Sequence, residues 1–542
     1  MNGFEAIANI LKKEGFEWMA CFPANPLIEA AANVGIRPIV FRQERGGIMA
    51  ADGFSRMLAS QGKRGVFCCQ GGPGVENSFG GIAQAWADSV PILFLPAGDR
   101  DPDIEPNFSA PKNYGQITKW AASINSAEDI PNLMRRAMSA LINGRPGPVL
   151  LEMKGKAMVQ TIDNIDDYAS PQITLSSPHY NDIKRAVSNI INAQNPIIWA
   201  GQGTLYAGAT NELKELVELL QIPILTTMQA KSAFDERHPL SLGSANRTAP
   251  KTVWHWLNES DLILGIGTSW TKTNFAIDIP EGKTLIHNTN NLTDISKEYK
   301  TDIGLLGDAK LTLEMLIEET KLQLGSTKRN NDSVIESIAI IKKEWNEEWS
   351  GLLNSDQTPI NPYRLINEIN KAVDHENTII THDAGHPRDQ IMPFYPATVP
   401  HSYIGWGKST HLGYGIGLAI GAKIANPDKF CVNFMGDAAF GMAGLDIETS
   451  VRSGNPITTI VLDNGTMGGY DHHQPVAMSK YGAGNMTGSY TTIAKGLGAV
   501  GIDVEKPEEI GPAIKAAEKA NKEGRSVLIN VKTKQEDKFS IY

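Results

Sequence analysis

Residues 435–470 read MGDAAFGMAGLDIETSVRSGNPITTIVLDNGTMGGY, and this stretch decides the fold class. A predicted strand ends at Asp437, a helical pattern follows, and a second β-rich run reaches Asp463. The order strand, helix, strand predicts two parallel neighbours in one sheet, with Asp437 and Asn464 following their carboxyl ends. Open α/β sheets bind ligands at that edge, so the stretch also indicates where a site lies.

The polar residues of this stretch predict a site for a cation and a diphosphate. Asp437 and Asn464 offer oxygen ligands, which suit Mg²⁺ when waters and phosphate oxygens complete its octahedron. Gly436 lets the backbone approach a diphosphate, and Ala438 and Ala439 open a helix whose amides face it. Either dipeptide alone, GD or NG, is more typical of a simple strand-end turn. Their combination favours the binding site.

The same alternation of strands and helices runs through all 542 residues. It predicts an α/β protein of three domains, each a mostly parallel sheet flanked by helices. Polar or charged joins place the domains at residues 1–165, 185–325 and 355–542. The predicted strands span residues 37–41, 64–69, 91–97, 147–153, 195–201, 222–227, 261–267, 283–288, 377–385, 430–437, 457–464 and 526–532.

Composition and charge exclude some function classes. The net charge of −10 argues against a nucleic-acid or anionic-membrane partner, because both need concentrated Lys and Arg. No apolar run is long enough to span a bilayer, and the amino terminus lacks the pattern of a signal peptide. We therefore expect a cytoplasmic protein without a membrane partner. Its four cysteines fit buried hydrophobic positions in a reducing compartment better than a disulfide framework.

Taken together, the motifs resemble the thiamine diphosphate enzymes of the acetolactate synthase and 2-oxo acid decarboxylase type. A Gly-Asp pair followed by a distant Asn is the signature of that family. Further stretches fall in the family's order: CFPANP (21–26), FRQERGGIMAADGFSR (41–56), QGGPGVENSFGGIAQAWADSVPILFL (70–95), WAGQGT (199–204), THDAGHPRDQ (381–390) and LGYGIGLAIGAKIANP (412–427). The resemblance implies thiamine diphosphate and Mg²⁺ as cofactors, and pyrimidine-binding, central and diphosphate-binding domains in that order.

The resemblance also implies a metal set. Mg²⁺ would be held by Asp437, by the side chain of Asn464 and by the backbone carbonyl of Thr466, with Met467 beside the cofactor. Many members of the family have Asn where this chain has Asp463. That departure touches a position that is not a ligand, so we expect metal binding to survive.

In the amino-terminal domain the resemblance gives Glu44 the central role. It lies where the family keeps a glutamate that shares a proton with N1′ of the pyrimidine. From the residues alone, Glu44 could instead be a helix-N-terminal carboxylate stabilised by Arg42 and Arg45. Leu412 falls where a bulky apolar side chain supports the two cofactor rings, and Thr410 where the backbone contacts the 4′-amino group. The remaining cofactor-binding positions implied are Pro23, Ala24, Gly72, Pro73, Asn77 and His386, with Arg388 a further candidate at the diphosphate.

The resemblance implies C–C bond cleavage or formation on a 2-oxo acid or a related acyl donor. Acetolactate synthases proper have an Arg in the region that here reads GTSWTKTNF and a Trp in the region that reads GGYDHHQP, and this chain has neither. The alternatives are a simple 2-oxo acid decarboxylase, an enzyme like 2-hydroxyacyl-CoA lyase or oxalyl-CoA decarboxylase, and an inactive homologue serving as a scaffold subunit. The candidates for substrate contact or proton transfer are Tyr470, His472, His473 and His411, against the alternative that the histidines are surface or structural residues.

The central stretch WAGQGTLYAGA resembles a nucleotide loop, and relatives use this domain for FAD or an adenine nucleotide. A lone glycine-rich turn is a weak signal, so we expect a spacer domain without bound flavin. The full pattern of a nicotinamide-binding Rossmann domain is not present among the glycine turns. The family builds its site between the pyrimidine domain of one subunit and the diphosphate domain of another, which implies a homodimer or homotetramer.

Overall fold

The computed structural model describes residues 1–23, 25–98, 107–325 and 332–542. These residues form three six-stranded parallel sheets, each flanked by helices. The predicted α/β fold with three domains is thereby confirmed. Each sheet falls within one of the predicted ranges, and the domain boundaries themselves stay a prediction.

The amino-terminal sheet has the strand order β2-β1-β3-β4-β6-β5. Its strands are β1 (Trp18–Cys21), β2 (Arg37–Val40), β3 (Gly65–Cys69), β4 (Ile92–Gly98), β5 (Trp120–Ile124) and β6 (Val149–Lys154). Its helices are α1 (Gly3–Lys13), α2 (Leu27–Asn33), α3 (Glu44–Leu58), α4 (Pro73–Ala87), α5 (Ala110–Tyr114), α6 (Ile130–Ile142) and α7 (Gly155–Met158).

The central sheet has the order β12-β11-β10-β7-β8-β9. Its strands are β7 (Pro196–Ala200), β8 (Ile224–Thr227), β9 (Ser241–Ala245), β10 (Leu262–Ile266), β11 (Thr284–Thr289) and β12 (Ile303–Leu306). The helices of this part are α8 (Tyr180–Asn192), α9 (Gly203–Tyr206), α10 (Thr210–Leu220), α11 (Lys251–Glu259), α12 (Ala309–Leu324) and α13 (Asp332–Leu353).

The carboxyl-terminal sheet has the order β14-β13-β15-β16-β18-β17. Its strands are β13 (Thr378–His382), β14 (Tyr403–Ile404), β15 (Phe430–Gly436), β16 (Thr458–Asp463), β17 (Val500–Val504) and β18 (Val527–Lys532). Its helices are α14 (Pro362–Ala372), α15 (His386–Phe394), α16 (Gly415–Ala425), α17 (Asp437–Ala443), α18 (Ile447–Ser453), α19 (Tyr470–His473), α20 (Pro475–Tyr481), α21 (Tyr490–Gly496) and α22 (Ile510–Lys522).

Close helix packing joins the first and third domains of the chain. Helix α3 lies against α16, and a Cβ on Gly53 would come within 2.4 Å of the Leu418 carbonyl oxygen. A Cβ on Gly421 would come within 2.1 Å of the Ala50 carbonyl oxygen, so neither position accepts a larger residue without movement. The start of α3, where Glu44 lies, is therefore held firmly against the carboxyl-terminal domain.

A buried polar network crosses the same interface. The carboxylate of Asp88 accepts hydrogen bonds from Arg56 Nη2 at 3.0 Å and from Gln84 Nε2 at 2.9 Å. It also accepts from the backbone N–H groups of Gly407 at 3.1 Å and Lys408 at 3.2 Å. Helices of the amino-terminal domain thus hold the start of segment 407–414, which leads into α16.

Two further expectations concern membrane-spanning helices and the state of the cysteines. Among the described residues, no helix is long and apolar enough to cross a membrane. All four cysteines are buried free thiols, as predicted. The pKa of the Cys21 thiol is raised to about 12 by burial, which makes it a packing residue rather than a nucleophile.

Candidate active site

A cavity of about 340 Å³ lies at the carboxyl edge of the carboxyl-terminal sheet, and we call it the catalytic cavity. It is formed where β13, β15 and β16 end, as the topology of an open α/β sheet favours. Ten of the predicted site residues line it: His386, Leu412, Gly436, Asp437, Ala438, Ala439, Asn464, Thr466, Met467 and Tyr470. The fold therefore brings together residues separated by more than eighty positions.

Asp437 and Asn464 meet in this cavity through the turn that follows β16. Asp437 Oδ1 accepts a hydrogen bond from its neighbour Ala438 N at 2.7 Å, and Oδ2 accepts from Gly465 N at 3.0 Å. Asn464 Oδ1 accepts from Thr466 N at 3.1 Å. These bonds hold the Asp437 carboxylate, the Asn464 amide and the turn at Thr466 together in the wall of the cavity.

The electrostatics of Asp437 suit a bound cation. Only 3% of the residue is exposed, and burial raises the pKa of its carboxyl, with Asp463 adding to the rise. In the described parts of the chain, no Lys, Arg or His lies within 4.0 Å of this carboxylate. The described residues also contain no group of three His, Cys, Asp or Glu side chains that could hold a metal. The oxygen donors present are a carboxylate, an amide and a carbonyl, which fit Mg²⁺ rather than zinc.

Two helices begin at the wall of the catalytic cavity. Helix α15 starts at His386 after Gly385, whose φ of +86° requires glycine, and α17 starts at Asp437 after Gly436. The amides at such helix starts favour an anionic ligand. The His386 ring packs against the edge of Phe539 at 5.0 Å, and burial lowers its pKa.

The loop that carries Leu412 is held by Asp383, a residue that the sequence analysis missed. Asp383 Oδ1 accepts from Ala384 N and Gly413 N, and Oδ2 accepts from Gly415 N, each at 2.9 Å. Burial raises the pKa of this carboxyl to about 6. The backbone of Thr410 has a φ of +55°, a conformation that a β-branched residue rarely adopts. The backbone on either side of Leu412 is thus fixed, by the conformation of Thr410 before it and by the hydrogen bonds of Gly413 and Gly415 to Asp383 after it.

A second cluster of predicted residues lies at the carboxyl edge of the amino-terminal sheet. Glu44 is the first residue of α3 and is only 2% exposed. Its Oε2 accepts a hydrogen bond from Asn77 Nδ2 at 3.1 Å. Gly72, with a φ of +63°, and Pro73 form the turn into α4 that positions Asn77. Pro23 is exposed after β1, and the neighbouring Ala24 lies outside the described residues.

The salt-bridge alternative for Glu44 is not what the structure shows. Arg42 pairs with Glu448 at 3.6 Å, and Arg45 Nη2 donates to the Met442 carbonyl at 2.8 Å. Among the residues described, neither arginine forms an ion pair with Glu44. Glu44 is not among the residues that line the catalytic cavity of the same chain.

The three histidines predicted for substrate contact or proton transfer do not line the catalytic cavity. His411 is half-buried, with its backbone N–H donating to Gln84 Oε1 at 3.2 Å and its ring against Gly80. His472 and His473 are exposed, and His472 Nε2 lies 3.7 Å from Asp537 Oδ2. Tyr470, at the start of the same helix α19, does line the catalytic cavity.

The end of the chain forms a wall that no sequence motif indicated. Thr533, Lys534 and Glu536 line the catalytic cavity after β18. Lys534 Nζ lies 3.1 Å from Glu536 Oε2, which also accepts from Asn361 Nδ2 at 2.8 Å. This segment is polar and has no periodicity, so only the tertiary structure shows its place.

The central domain also contributes a cavity. This cavity, of about 330 Å³, lies against the amino-terminal domain, and we call it the large central cavity. Its wall includes the predicted glycine turn at Gln202 and Gly203. Arg64, Arg145 and Lys310 add basic side chains to the lining.

Three family models match the chain in order. The N-terminal TPP binding domain of thiamine pyrophosphate enzymes matches residues 1–116, their central domain residues 183–316, and their C-terminal TPP binding domain residues 383–531. Thiamine pyrophosphate is the same compound as thiamine diphosphate. The matches cover the two clusters described above and the domain between them.

Curated relatives match over nearly the whole length. A probable acetolactate synthase large subunit of Methanococcus aeolicus is 30% identical over 95% of this chain and 90% of the relative. The acetolactate synthase isozyme 3 large subunit of Escherichia coli K12 is 25% identical over 98% and 94%, respectively. A 2-hydroxyacyl-CoA lyase of Arabidopsis thaliana is 25% identical over 91% and 88%. The chain therefore belongs to the thiamine diphosphate-dependent enzymes of the acetolactate synthase family.

Proposed function

We propose that this enzyme uses thiamine diphosphate and Mg²⁺ to cleave or form a C–C bond on a 2-oxo acid or a related acyl donor. The observation that carries the proposal is the catalytic cavity, where Asp437, Asn464 and Thr466 present oxygen ligands beside two helix starts. When bound, thiamine diphosphate supplies a nucleophilic carbon and an electron sink for the bond next to a carbonyl group.

The residues of the catalytic cavity would bind and orient the cofactor. Asp437 and Asn464, with the Thr466 carbonyl, would hold Mg²⁺. Burial disfavours the charged form of the Asp437 carboxyl, and the bound cation would stabilise that form. The amides of Ala438 and Ala439 and the side chain of His386 would face the diphosphate. Leu412, fixed through Asp383, would support the two rings from one side.

Glu44 would hold the proton exchanged at N1′ of the pyrimidine, with Asn77 fixing the orientation of its carboxyl group. Because Glu44 does not line the catalytic cavity of its own chain, we propose that a second copy supplies it. The site is then complete only in a homodimer, or in a homotetramer built from two such dimers. Pro23, Ala24, Gly72 and Pro73 would form the turns around the pyrimidine.

For substrate contact we propose Tyr470, since it lines the catalytic cavity. Lys534 of the chain end would add a positive charge near the donor carboxylate, although it already pairs with Glu536. His411, His472 and His473 lie outside the lining, and their part in proton transfer stays a prediction for a site completed by a second copy. A cytoplasmic location also stays a prediction.

A CoA-linked substrate is the second candidate. The large central cavity favours the nucleotide part of such a substrate: Arg64 is a basic side chain of its wall, while Arg145 pairs with Asp294 and Lys310 with Glu212. A relative with 25% identity is a 2-hydroxyacyl-CoA lyase. This candidate predicts cleavage of a 2-hydroxyacyl-CoA, whereas the first predicts products from free 2-oxo acids.

The experiment is a product screen with the purified chain, thiamine diphosphate and Mg²⁺. Free 2-oxo acids, alone and with acceptor aldehydes, and 2-hydroxyacyl-CoA substrates are incubated and the products identified by mass spectrometry. Glu44→Gln serves as the matched control, because it keeps the shape of the side chain and changes its proton exchange. Turnover of a 2-oxo acid by wild type alone supports the first candidate. Turnover of none of these substrates would contradict both candidates.

A further inference from the structure

A smaller cavity, of about 80 Å³, lies at the carboxyl edge of the central sheet, and we call it the small central cavity. Its walls include Asn246, Trp270, Ile277 and Lys408. It has room for about five to eight atoms of water size, which excludes a nucleotide. It shares no lining residue with the catalytic cavity, whereas Lys408 lines both it and the large central cavity.

Lys408 places a cationic side chain in the wall of the small central cavity. The Lys408 ammonium donates to Ser269 Oγ at 3.2 Å, and no carboxylate among the described residues lies within 4.0 Å of it. Burial, with Arg145 nearby, lowers the pKa of Lys408 to about 8. The buried guanidinium of Arg388 lies over the ring of the lining residue Phe275 at 4.3 Å, and its Nε donates to Asp389 Oδ1 at 2.8 Å. Its Nη1 has no acceptor among the described residues and would be 3.3 Å from a Cβ on Gly407.

Three neutral donors in the cavity wall also have no acceptor among the described residues. They are Asn246 Nδ2, Trp199 Nε1 and Trp270 Nε1, and all three residues are buried. Native proteins rarely leave buried donors unpaired, because each has lost its hydrogen bonds to water. A wall that offers these donors and the Lys408 ammonium selects a ligand with acceptor oxygens and a negative charge.

Aliphatic side chains also line the small central cavity. Ile277 and Ile279 are both buried in its wall. Inorganic phosphate has no surface that these residues could bury, whereas a short carboxylic acid has both a charged end and an apolar end.

We propose that the small central cavity binds a short organic carboxylate. The carboxylate group lies at Lys408 and Asn246, and the carbon chain lies against Ile277 and Ile279. The site needs neither thiamine diphosphate nor Mg²⁺ and does not rest on the proposed function.

Ligand-observed NMR titration of the full chain, without thiamine diphosphate and Mg²⁺, tests the proposal with butyrate as the probe and inorganic phosphate as the comparison. Wild type should bind butyrate more tightly than phosphate. Lys408→Met keeps the side-chain stem and removes the charge, so it should weaken butyrate binding about tenfold or more. Ile277→Trp should abolish binding by filling the small central cavity, and it leaves the large central cavity unchanged because Ile277 does not line it. Asp437→Ala should bind butyrate like wild type.

Several results would overturn the proposal. One is the absence of butyrate binding at concentrations well above about 1 mM. Others are unchanged butyrate affinity in Ile277→Trp, or phosphate binding without butyrate binding. If Lys408→Met does not fold, Ile277→Trp and Asn246→Leu decide the matter, because the first fills the cavity and the second removes a hydrogen-bond donor from its wall. Since the titration omits the cofactors, its failure is distinguishable from failure of the proposed function.

Discussion

The hydrogen bonds to Asp88 predict how firmly segment 407–414 is held. Asp88 is fully buried, and its carboxylate accepts from Arg56, Gln84 and the backbone N–H groups of Gly407 and Lys408. In Asp88→Asn the amide oxygen can replace Oδ2 and keep three of these donors. The new NH₂ group then faces the Lys408 N–H, so two buried donors lack an acceptor. Each such loss costs about 1–3 kcal/mol, so local opening should become easier by at least about 2 kcal/mol.

Hydrogen exchange followed by mass spectrometry measures this opening directly. A change of about 2 kcal/mol should speed exchange in a peptide covering residues 405–414 about 30-fold. Glu347→Gln is the matched control, since it removes a carboxylate from an exposed ion pair with Lys343 and should leave that peptide unchanged. Equal exchange of the peptide in Asp88→Asn and wild type would refute the conclusion that Asp88 holds this segment.

Three further predictions concern the site and its pH dependence. Glu44→Gln should lower turnover at least about 100-fold while the affinity for thiamine diphosphate stays within a few-fold of wild type. Steady-state kinetics and a cofactor titration measure the two quantities. Unchanged turnover would contradict the role assigned to Glu44. Leu412→Ala should weaken thiamine diphosphate binding about tenfold through lost apolar contact, and an unchanged dissociation constant would place Leu412 away from the rings. Burial raises the pKa of Asp383 and Asp446 to about 6 from 3.8, so the folded chain binds these protons more tightly than the unfolded chain does. The free energy of unfolding should therefore fall as pH rises from about 4 to about 6. In Asp446→Asn the melting temperature should change less with pH across that window than it does in wild type. An identical pH dependence of the melting temperature in the two proteins would contradict the assignment.

The strands that sequence patterns predicted are internal strands of a sheet, with the exception of the edge strand Arg37–Val40. All twelve predicted strands are present, including Phe430–Gly436, whose first six residues are all buried. Six strands were missed, and five of them lie at sheet edges: Trp120–Ile124, Ser241–Ala245, Ile303–Leu306, Tyr403–Ile404 and Val500–Val504. An edge strand pairs on one side only, so it can be short or partly polar and gives a weaker pattern. The sixth, Trp18–Cys21, is internal but has only four residues.

The candidate site was predictable where a residue directly follows a strand. Asp437 and Asn464 directly follow β15 and β16, so topology alone brings them together, and Glu44 follows the end of β2 after three residues. Lys534 and Glu536 approach the catalytic cavity only because the chain end folds back across the sheet edge. Such long-range contacts depend on tertiary packing and leave no local pattern.

The central claim is that Asp437 and its neighbours bind thiamine diphosphate through a metal ion. Calorimetric titration of the full chain with thiamine diphosphate, with Mg²⁺ and with EDTA, tests it most directly. We predict binding with Mg²⁺, little binding with EDTA, and loss of the Mg²⁺ dependence in Asp437→Ala. Absence of binding by wild type at saturating Mg²⁺, or equal Mg²⁺-dependent binding by wild type and Asp437→Ala, would contradict the account.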